Sequence, residues 1–310
     1  KEELLLISKY KNSLYRSKKP KTYESYQLHL KQINAKDFDD LLLDFLILFK
    51  KKKEHIRYRY LFIDEFQDTN LLQYEILKRL IQPNTQVLAV GDPDQSIYQF
   101  RGASDQIIDQ YIKDYHAIKM VLSKNYRSYQ KILYHANALV RYNDRKHKKI
   151  LYPNHQQQGE SYLLTFENQE EEAIYIIELI KKSIKKEIAI LYREHIRFFE
   201  LKYQLHLHHI DFQSSDSDLP CPLKCMTIHQ AKGLEFDHVM ILGLEEGTLP
   251  KHKLMTKKEE DEERRLMFVA ITRAKSKLIL SYSKRNHENR YQKPSKFIKE
   301  MKIKRLKMKS

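Results

Sequence analysis

The chain alternates between short, continuous apolar runs and longer segments in which apolar residues recur every three or four positions. The runs are typical of strands buried on both faces of a parallel sheet, and the periodic segments predict amphipathic helices. Across 37–92 the order is helix, strand, helix, strand, which predicts an α/β fold with a parallel sheet. Strands are predicted at 60–64, 86–92, 118–122, 161–166, 187–193, twice within 224–243 and at 277–283, and helices at 37–49, 70–81, 106–115, 129–142, 170–184 and 262–275.

The two ends of the chain have a different pattern. Residues 1–36 are polar and rich in Lys and Tyr, with apolar residues at helical spacing, so we expect peripheral helices there. The basic tail, 301–310, is expected to fray, as chain ends do unless something ties them down.

The composition of the chain shows an excess of positive charge. Lys and Arg total 57 against 41 Asp and Glu, a formal net charge of +16. This excess favours a polyanionic partner, nucleic acid first, with simple Lys enrichment as the alternative. Two cysteines are too few for a disulfide framework, which favours a reducing, cytoplasmic location. No apolar run approaches the ~20 residues of a membrane span, so no membrane partner is expected.

The first candidate for chemistry is the end of the predicted strand at 60–64. Asp64 and Glu65 follow the apolar run directly. Acids at the carboxyl end of a parallel strand lie where open α/β sheets bind ligands, and such an Asp can hold Mg²⁺ on a nucleotide. Alternatively, both acids only favour the amino end of the next helix.

A second candidate follows the predicted strand at 86–92. The segment VGDPDQSIYQFRGA (90–103) places Gln95 and the aromatic residues Tyr98 and Phe100 after another strand-end acid. Gln95 suits the sensing of a terminal phosphate, and Phe100 suits stacking on a nucleobase. Alternatively, the aromatic pair folds back onto the core.

Five segments of the chain resemble, in order, motifs II to VI of the UvrD/Rep/PcrA helicases of superfamily 1. The resemblance covers most of the chain and implies RecA-like parallel sheets flanked by helices, the P-loop NTPase helicase core, with an incomplete first motor domain. It implies a remainder of accessory region 1B at 1–36, domain 1A at 37–119 and domain 2A at 120–310. The segments are DEFQDTN (64–70), VGDPDQSIYQFRGA (90–103), LSKNYRS (122–128), TIHQAKGLEFDHVMILGLEEGTLP (227–250) and EERRLMFVAITRAK (262–275).

The resemblance also implies ATP and Mg²⁺ as cofactors and a role for each matching residue. Those expected to act on the nucleotide are Asp64 on Mg²⁺, Glu65 on the attacking water, Gln95 and Arg127 at the γ-phosphate, Tyr126 on adenine, Glu235 on ribose, Gly233 beside it, and Arg273 as an arginine finger from the second motor domain. Those expected to contact DNA are Tyr98, Phe100, Arg101, Thr227 and His229.

Several of these residues have plainer alternative interpretations. Arg127 and Arg273 could form surface ion pairs, His229 could be a structural hydrogen-bonding group, and Lys232 could simply be solvated. Family members usually carry Trp where this chain has Phe100; the smaller ring stacks less, but its implied role survives.

The implied activity is an ATP-dependent 3′-5′ helicase or translocase on single-stranded or duplex-junction DNA. One departure concerns motif I, a Gly-rich phosphate loop ending in Gly-Lys-Ser/Thr. None of the six glycines forms G-x-x-x-x-G-K-[ST]. The first residue is Lys1 rather than Met, so we expect a truncated chain that is inactive alone. The alternative is a non-catalytic nucleic-acid-binding remnant of a split or decayed gene.

A second departure lies between motifs IV and V, where the family carries a large accessory insertion, 2B. Here the insertion is reduced to a short connector near 206–223. Histidines and cysteines of the connector region raise zinc as a minor alternative, although their spacing fits no established ligand pattern. They are His206, His208, His209, Cys221 and Cys225.

Overall fold

The computed structural model describes residues 2–52, 58–98, 105–183, 186–214, 221–251 and 255–306. The chain divides into two compact units, unit 1 (Lys1–Met120) and unit 2 (Val121–Ser310). Within the described residues, no helix combines the length and the apolar character needed to cross a bilayer.

Unit 1 begins with helices and then alternates strands and helices, as the sequence predicts. Its β1 and β2 pair in parallel, with Tyr60 opposite Gln86 and Ile63 opposite Ala89. The elements are α1 (Glu2–Asn12), α2 (Tyr23–Gln32), α3 (Phe38–Lys52), β1 (Tyr60–Ile63), α4 (Leu71–Leu80), β2 (Gln86–Ala89) and α5 (Asp105–Tyr115).

One face of the β1–β2 pair is covered and the other is exposed. Ile63, Val87 and Ala89 pack on a core to which Tyr74 of α4 and Tyr111 of α5 belong. On the opposite face the Phe62 side chain is 74% exposed. The prediction that these strands are buried on both faces is therefore wrong, because helices cover a parallel sheet only where they pack, and α4 and α5 lie on one side.

Unit 2 is built on a five-stranded parallel sheet in the order β5-β9-β8-β6-β7, and β6 at its interior is buried at every position. Helices α7 and α8 contribute to one core cluster on this sheet. The elements are β3 (Lys124–Asn125), α6 (Gln130–Val140), β4 (Tyr152–Pro153), β5 (Glu160–Phe166), α7 (Gln169–Lys181), β6 (Ile188–Tyr192), α8 (Phe199–Leu207), β7 (Leu223–Thr227), β8 (Phe236–Ile241), α9 (Lys257–Ile271), β9 (Ala274–Ser283) and α10 (Phe297–Met301).

Three sequence predictions are wrong at the level of single elements. The apolar run 118–122 forms no strand, and its Ile118 side chain is 93% exposed. The helix predicted to reach residue 275 ends at Ile271, because β9 begins at Ala274. The tail does not fray over 304–306, where the Leu163 amide donates to Lys304 O (3.1 Å) and the Leu306 amide to Leu163 O (2.9 Å).

His135 of α6 links three parts of unit 2. Its ring is buried, with Nδ1 2.8 Å from Met301 O and Nε2 2.8 Å from Ser161 Oγ. Since a carbonyl oxygen only accepts, Nδ1 carries the proton, and in the neutral ring Nε2 accepts from the serine hydroxyl. Burial favours this neutral form, because it lowers the pKa of His135.

We expect acid to destabilise the protein partly through His135. Burial lowers the pKa of His135, although its bond to Met301 acts in the opposite direction. As the pH falls below about 6.5, the pKa of an unfolded histidine, the unfolded chain binds a proton that the folded protein does not yet bind. Acid therefore lowers the free energy of unfolding. The full loss is about 1.4 kcal/mol for each unit by which folding lowers the pKa of His135. Urea unfolding between pH 7 and pH 5 measures this decline. His135→Gln should reduce it, and the exposed His208→Gln should not; an undiminished decline in His135→Gln would contradict the assignment.

Candidate functional site

The first group of candidate residues lies at the carboxyl edge of the β1–β2 sheet. Parallel strands end at the same edge, so Asp64 and Glu65 after β1 lie beside Asp92 after β2. Two backbone bonds join the strand ends, from the Val90 amide to Ile63 O (2.8 Å) and from the Phe66 amide to Val90 O (2.9 Å). This edge is where open α/β sheets bind ligands.

Hydrogen bonds connect these acids into what we call the acid–amide cluster, made of Asp64, Glu65, Gln67, Asp92 and Gln95. Asp64 Oδ1 accepts from the Glu65 amide at 2.8 Å. The buried Gln67 side chain donates to the Glu65 carboxylate and accepts from the Asp92 amide at 2.8 Å. Asp92 Oδ2 in turn accepts from Gln95 Nε2 at 2.7 Å. A continuous path of hydrogen bonds therefore runs from Glu65 to Gln95.

Two backbone features hold the cluster in this shape. Glu65 has φ of 51°, in the left-handed region that is uncommon for residues other than glycine and recurs at functional sites. Gly91 lies so close to Gln67 that a Cβ there would come 2.7 Å from Gln67 Oε1. Any larger residue at position 91 would push the amide away from Asp92.

The donor set of the cluster fits Mg²⁺ on a nucleotide. Asp64 is exposed, and carboxylate oxygen is the ligand type that Mg²⁺ takes from proteins, commonly one or two carboxylates with phosphate oxygens and water. Across the described residues no three His, Cys, Asp or Glu side chains form a group able to hold a metal ion unaided.

Sequence reasoning noted Asp92 only as a strand-end acid and gave no role to Gln67. Only the fold shows that Gln67, in the turn after Glu65, bridges two segments 25 positions apart. Tyr98 follows the cluster and is partly buried. Phe100 and Arg101, predicted to contact DNA, lie outside the described residues.

A second group lies in unit 2, and we call Arg127, Glu235, Arg273 and Lys275 the guanidinium cluster. Arg127 Nε donates to Glu235 Oε2 at 2.7 Å, and Lys275 Nζ lies 3.0 Å from Glu235 Oε1. Hydrogen bonds from Arg127 and then Lys275 hold the pKa of the Glu235 carboxyl below its ordinary value. One carboxylate thus holds two cations, and Lys275 is a member that sequence reasoning missed.

Arg273 joins two other segments of unit 2. Its side chain is 2% exposed, with Nε donating to Val269 O (3.0 Å) at the end of α9 and Nη1 to Leu234 O (3.0 Å). A guanidinium at a helix carboxyl terminus also interacts favourably with the helix dipole. To contact a phosphate, Arg273 would have to exchange some of these carbonyl bonds for the ligand.

The turn after β3 positions Arg127. The Arg127 and Ser128 amides both donate to Asn125 Oδ1, at 3.0 and 2.8 Å. Ser128 Oγ donates to Ala274 O at 2.6 Å, next to Arg273. Tyr126, between these anchors, is 66% exposed, so its ring is available for stacking.

The remaining candidates lie in the turn between β7 and β8. Thr227 donates through its hydroxyl to Gln230 Oε1 at 2.9 Å, and His229 is partly buried two residues further on. Gly233 has φ of +83°, which favours glycine, and a Cβ there would meet nothing within 4 Å. This glycine is therefore explained by the turn, and the open space beside it is compatible with a ligand.

A buried ion cluster supports the segment that follows β8. Arg197 Nη2 lies 3.1 Å from Glu245 Oε1 and also binds Glu172, while Ser283 Oγ donates to Glu172 Oε2 at 3.1 Å. Gly243 packs against it, since a Cβ there would come 2.8 Å from Arg197 Cγ. Glu172 Oε1 is buried, and no described residue offers it a hydrogen bond.

The zinc alternative gains no support from the geometry. His206 lies on α8, while Cys225 is buried in the main core of unit 2. Burial raises the pKa of the Cys225 thiol, which disfavours the thiolate that zinc requires. Cys221 donates to Asp211 O at 3.2 Å.

The parallel α/β architecture with acids at the strand ends is typical of nucleotide-binding proteins. Comparison with known protein families identifies the family. The UvrD/REP helicase N-terminal domain matches residues 1–116, and the UvrD-like helicase C-terminal domain matches 120–219 and 213–285. The chain therefore belongs to the UvrD/REP helicase family.

Two curated relatives agree with this assignment, and one solved structure is similar in part. A "Probable DNA helicase" of Mycoplasma pneumoniae is 33% identical over 94% of this chain and 57% of its own length. The "ATP-dependent DNA helicase Rep" of Escherichia coli is 38% identical over 55% of this chain and 27% of its own. A solved C-terminal domain of a possible DNA helicase from Lactobacillus plantarum covers 59% of this chain and 98% of its own, at 17% identity and a TM-score of 0.42. The chain thus spans only part of the curated relatives that it matches.

Proposed function

We propose that this chain belongs to an ATP-dependent DNA helicase or translocase that moves 3′ to 5′ along single-stranded DNA. The observation that carries the proposal is the acid–amide cluster, in which two motif segments are joined at one sheet edge by Gln67. Family membership supports ATP and DNA as the ligands, and the formal charge of +16 agrees with a phosphate backbone as partner. The cytoplasm is the proposed location.

In this proposal the acid–amide cluster prepares ATP hydrolysis. Asp64 would hold Mg²⁺, and the ion would supply positive charge for the phosphates. Glu65 orients the attacking water and accepts its proton, with its own carboxylate fixed by Gln67. Gln95 is connected to Glu65 by hydrogen bonds through Asp92 and Gln67. A movement of Gln95 at the terminal phosphate would therefore change the position of the Glu65 carboxylate.

The guanidinium cluster supplies positive charge for the phosphates. Arg127 and Arg273 would contact the γ-phosphate, where a planar fork of donors matches the phosphate oxygens. Glu235 and Gly233 would receive the ribose, and the exposed Tyr126 ring would stack on adenine. To contact the γ-phosphate, Arg127 must break its ion pair with Glu235. Lys275 would then still compensate the charge of the Glu235 carboxylate.

DNA is assigned to two further segments of the chain. Thr227 and His229 in the turn after β7 would contact a single strand, as would Tyr98 with Phe100 and Arg101. Binding should weaken steeply with salt, because phosphate contacts release counterions.

A second candidate function is non-catalytic nucleic-acid binding by a remnant of a helicase. The observation that favours it is that these 310 residues contain no G-x-x-x-x-G-K-[ST] phosphate loop. Without backbone donors and a lysine for the phosphates, ATP should bind weakly.

One experiment separates the two candidates. ATP hydrolysis, stimulated by single-stranded DNA, is measured for the 310-residue chain alone and for the chain joined to a helicase segment that carries the phosphate loop. We expect negligible turnover from the chain alone and DNA-stimulated turnover from the joined protein. Robust turnover by the chain alone would contradict the role given to the phosphate loop, and a joined protein that binds DNA without turnover would favour the remnant.

A further inference from the structure

Three tyrosines of unit 1 form a compact cluster at the bend between α1 and α2. The Tyr10 and Tyr15 rings are 5.1 Å apart at 66°, and Tyr10 and Tyr23 are 5.1 Å apart at 81°. Tyr15 also meets Tyr23 edge-on at 6.3 Å. Edge-to-face contacts of this kind hold aromatic rings in fixed orientations. Tyr15, at the outside of the cluster, nevertheless remains 45% exposed.

The backbone at Tyr15 is unusual. Leu14 and Tyr15 have φ of 54° and 63°, two successive left-handed residues of which neither is glycine. The Leu14 amide donates to Lys11 O (2.9 Å) and the Tyr15 amide to Tyr10 O (3.0 Å), so the pair ends α1. Helices commonly end on a left-handed glycine, and a bulky residue there carries strain. Tyrosine at this position suggests that the exposed ring itself is needed.

Cations follow the exposed ring in the sequence. Arg16, Lys18, Lys19 and Lys21 follow within six residues and are all exposed. Lys19 lies over the Tyr23 ring at 5.4 Å and pairs with Glu24, whereas Lys11, buried behind the bend, is compensated by Asp37 and Asp40 at 2.7 Å each.

Acidic groups near the bend do not cancel this charge. Glu24 is paired with Lys19. Glu3 accepts a hydrogen bond from Thr22 and keeps its charge, but it is one carboxylate against three exposed cations. Arg16, Lys18 and Lys21 therefore leave the exposed segment that follows Tyr15 with a net positive charge.

We infer that this bend, which we call the tyrosine platform (Tyr10, Tyr15, Tyr23 and the cations of 16–21), is a binding site for single-stranded DNA. An unpaired base stacks on Tyr15, and the flanking phosphates contact Arg16, Lys18 and Lys21. Aromatic rings interleaved with cations are the recurring chemistry of sequence-tolerant single-strand binding. The inference rests on the proposed function for its choice of ligand, but it uses none of the residues assigned there.

The test uses the chain's lack of tryptophan. In a Tyr15→Trp variant of the full chain, the only indole lies on the platform, and its emission is followed during titration with oligo(dT). We expect saturable quenching at low salt. A blunt DNA duplex should quench much less, because its bases are already stacked. Tyr203→Trp is the matched control, since Tyr203 is 58% exposed but lies on α8 of unit 2.

Affinity measurements provide an independent arm if the Trp variant folds poorly. Tyr15→Ala should weaken oligo(dT) binding by about 5- to 100-fold, as expected for the loss of one stacked base. Tyr203→Ala should leave the affinity unchanged, and Lys18→Gln should reduce the salt slope of binding by about one.

Each outcome decides the inference. Quenching by oligo(dT) together with weakened binding of Tyr15→Ala supports it. Unchanged affinity in Tyr15→Ala overturns it while leaving DNA binding by the chain, and so the proposed function, intact. Equal quenching by blunt duplex also overturns it. Failure of the unmodified chain to bind any oligonucleotide overturns both this site and the DNA ligand of the proposed function.

Discussion

Arg273→Ala should lower the rate of ATP hydrolysis by about 10³-fold or more in the protein completed with a phosphate loop. Arginine fingers contribute roughly 10³–10⁵ in related phosphoryl-transfer enzymes. Arg273 is the guanidinium whose donors are held by carbonyl oxygens at the end of α9 and at Leu234. Turnover is measured at saturating ATP and single-stranded DNA, together with oligo(dT) affinity, which should change little.

Because Arg273 is buried, a second variant separates catalysis from folding. Arg273→Lys keeps the charge but loses the planar fork, and it should remain strongly impaired while unfolding close to the unmodified protein in urea. If Arg273→Ala folds and still hydrolyses ATP at the normal rate, Arg273 does not belong to the site.

Arg197→Met should cost about 3–5 kcal/mol of folding free energy, the range seen when one partner of a buried ion pair is removed. The Arg197, Glu172 and Glu245 side chains are 4%, 2% and 0% exposed, so two carboxylates would remain in the interior with no cation. Burial already raises the pKa of Glu245 in spite of Arg197. Chemical denaturation followed by circular dichroism measures the loss.

Matched variants identify the cause of that loss. Arg290→Met removes a guanidinium that is 77% exposed and should change the stability little. Adding Glu172→Gln to Arg197→Met should restore part of the loss, because it removes one of the uncompensated charges. A change below about 1 kcal/mol in Arg197→Met would show that the buried cluster is not the support of this part of unit 2.

Most strands and helices followed from the hydrophobic pattern, and the exceptions have physical reasons. A run such as 118–122 is apolar enough for a strand, but a strand also needs a neighbour for its backbone groups, which the pattern of a single segment does not report. For the same reason, the tail paired at 304–306 although its sequence is basic. The exposed face of β1 was predicted to be buried, because an apolar run does not show whether another element packs on each face of the strand.

Within the candidate site, single residues next to apolar runs could be predicted more easily than contacts between residues that are distant in the sequence. Asp64, Glu65 and Gln95 could be proposed from their places after apolar runs. The Arg127–Glu235 contact joins residues 108 positions apart, and no spacing rule leads from one to the other. Gln67 and Lys275 were missed because their importance comes from the groups on either side of them in space.

The central claim is that the acid–amide cluster hydrolyses ATP with Glu65 as the group that activates water. Single-turnover hydrolysis by Glu65→Gln, in the protein completed with a phosphate loop and supplied with single-stranded DNA, tests this most directly. The matched control is Glu75→Gln, which removes a carboxylate of α4 paired with Lys78. We predict a loss of about 10²–10⁴-fold for Glu65→Gln, with ATP binding retained, and near-normal turnover for Glu75→Gln. Normal turnover by Glu65→Gln would contradict the account.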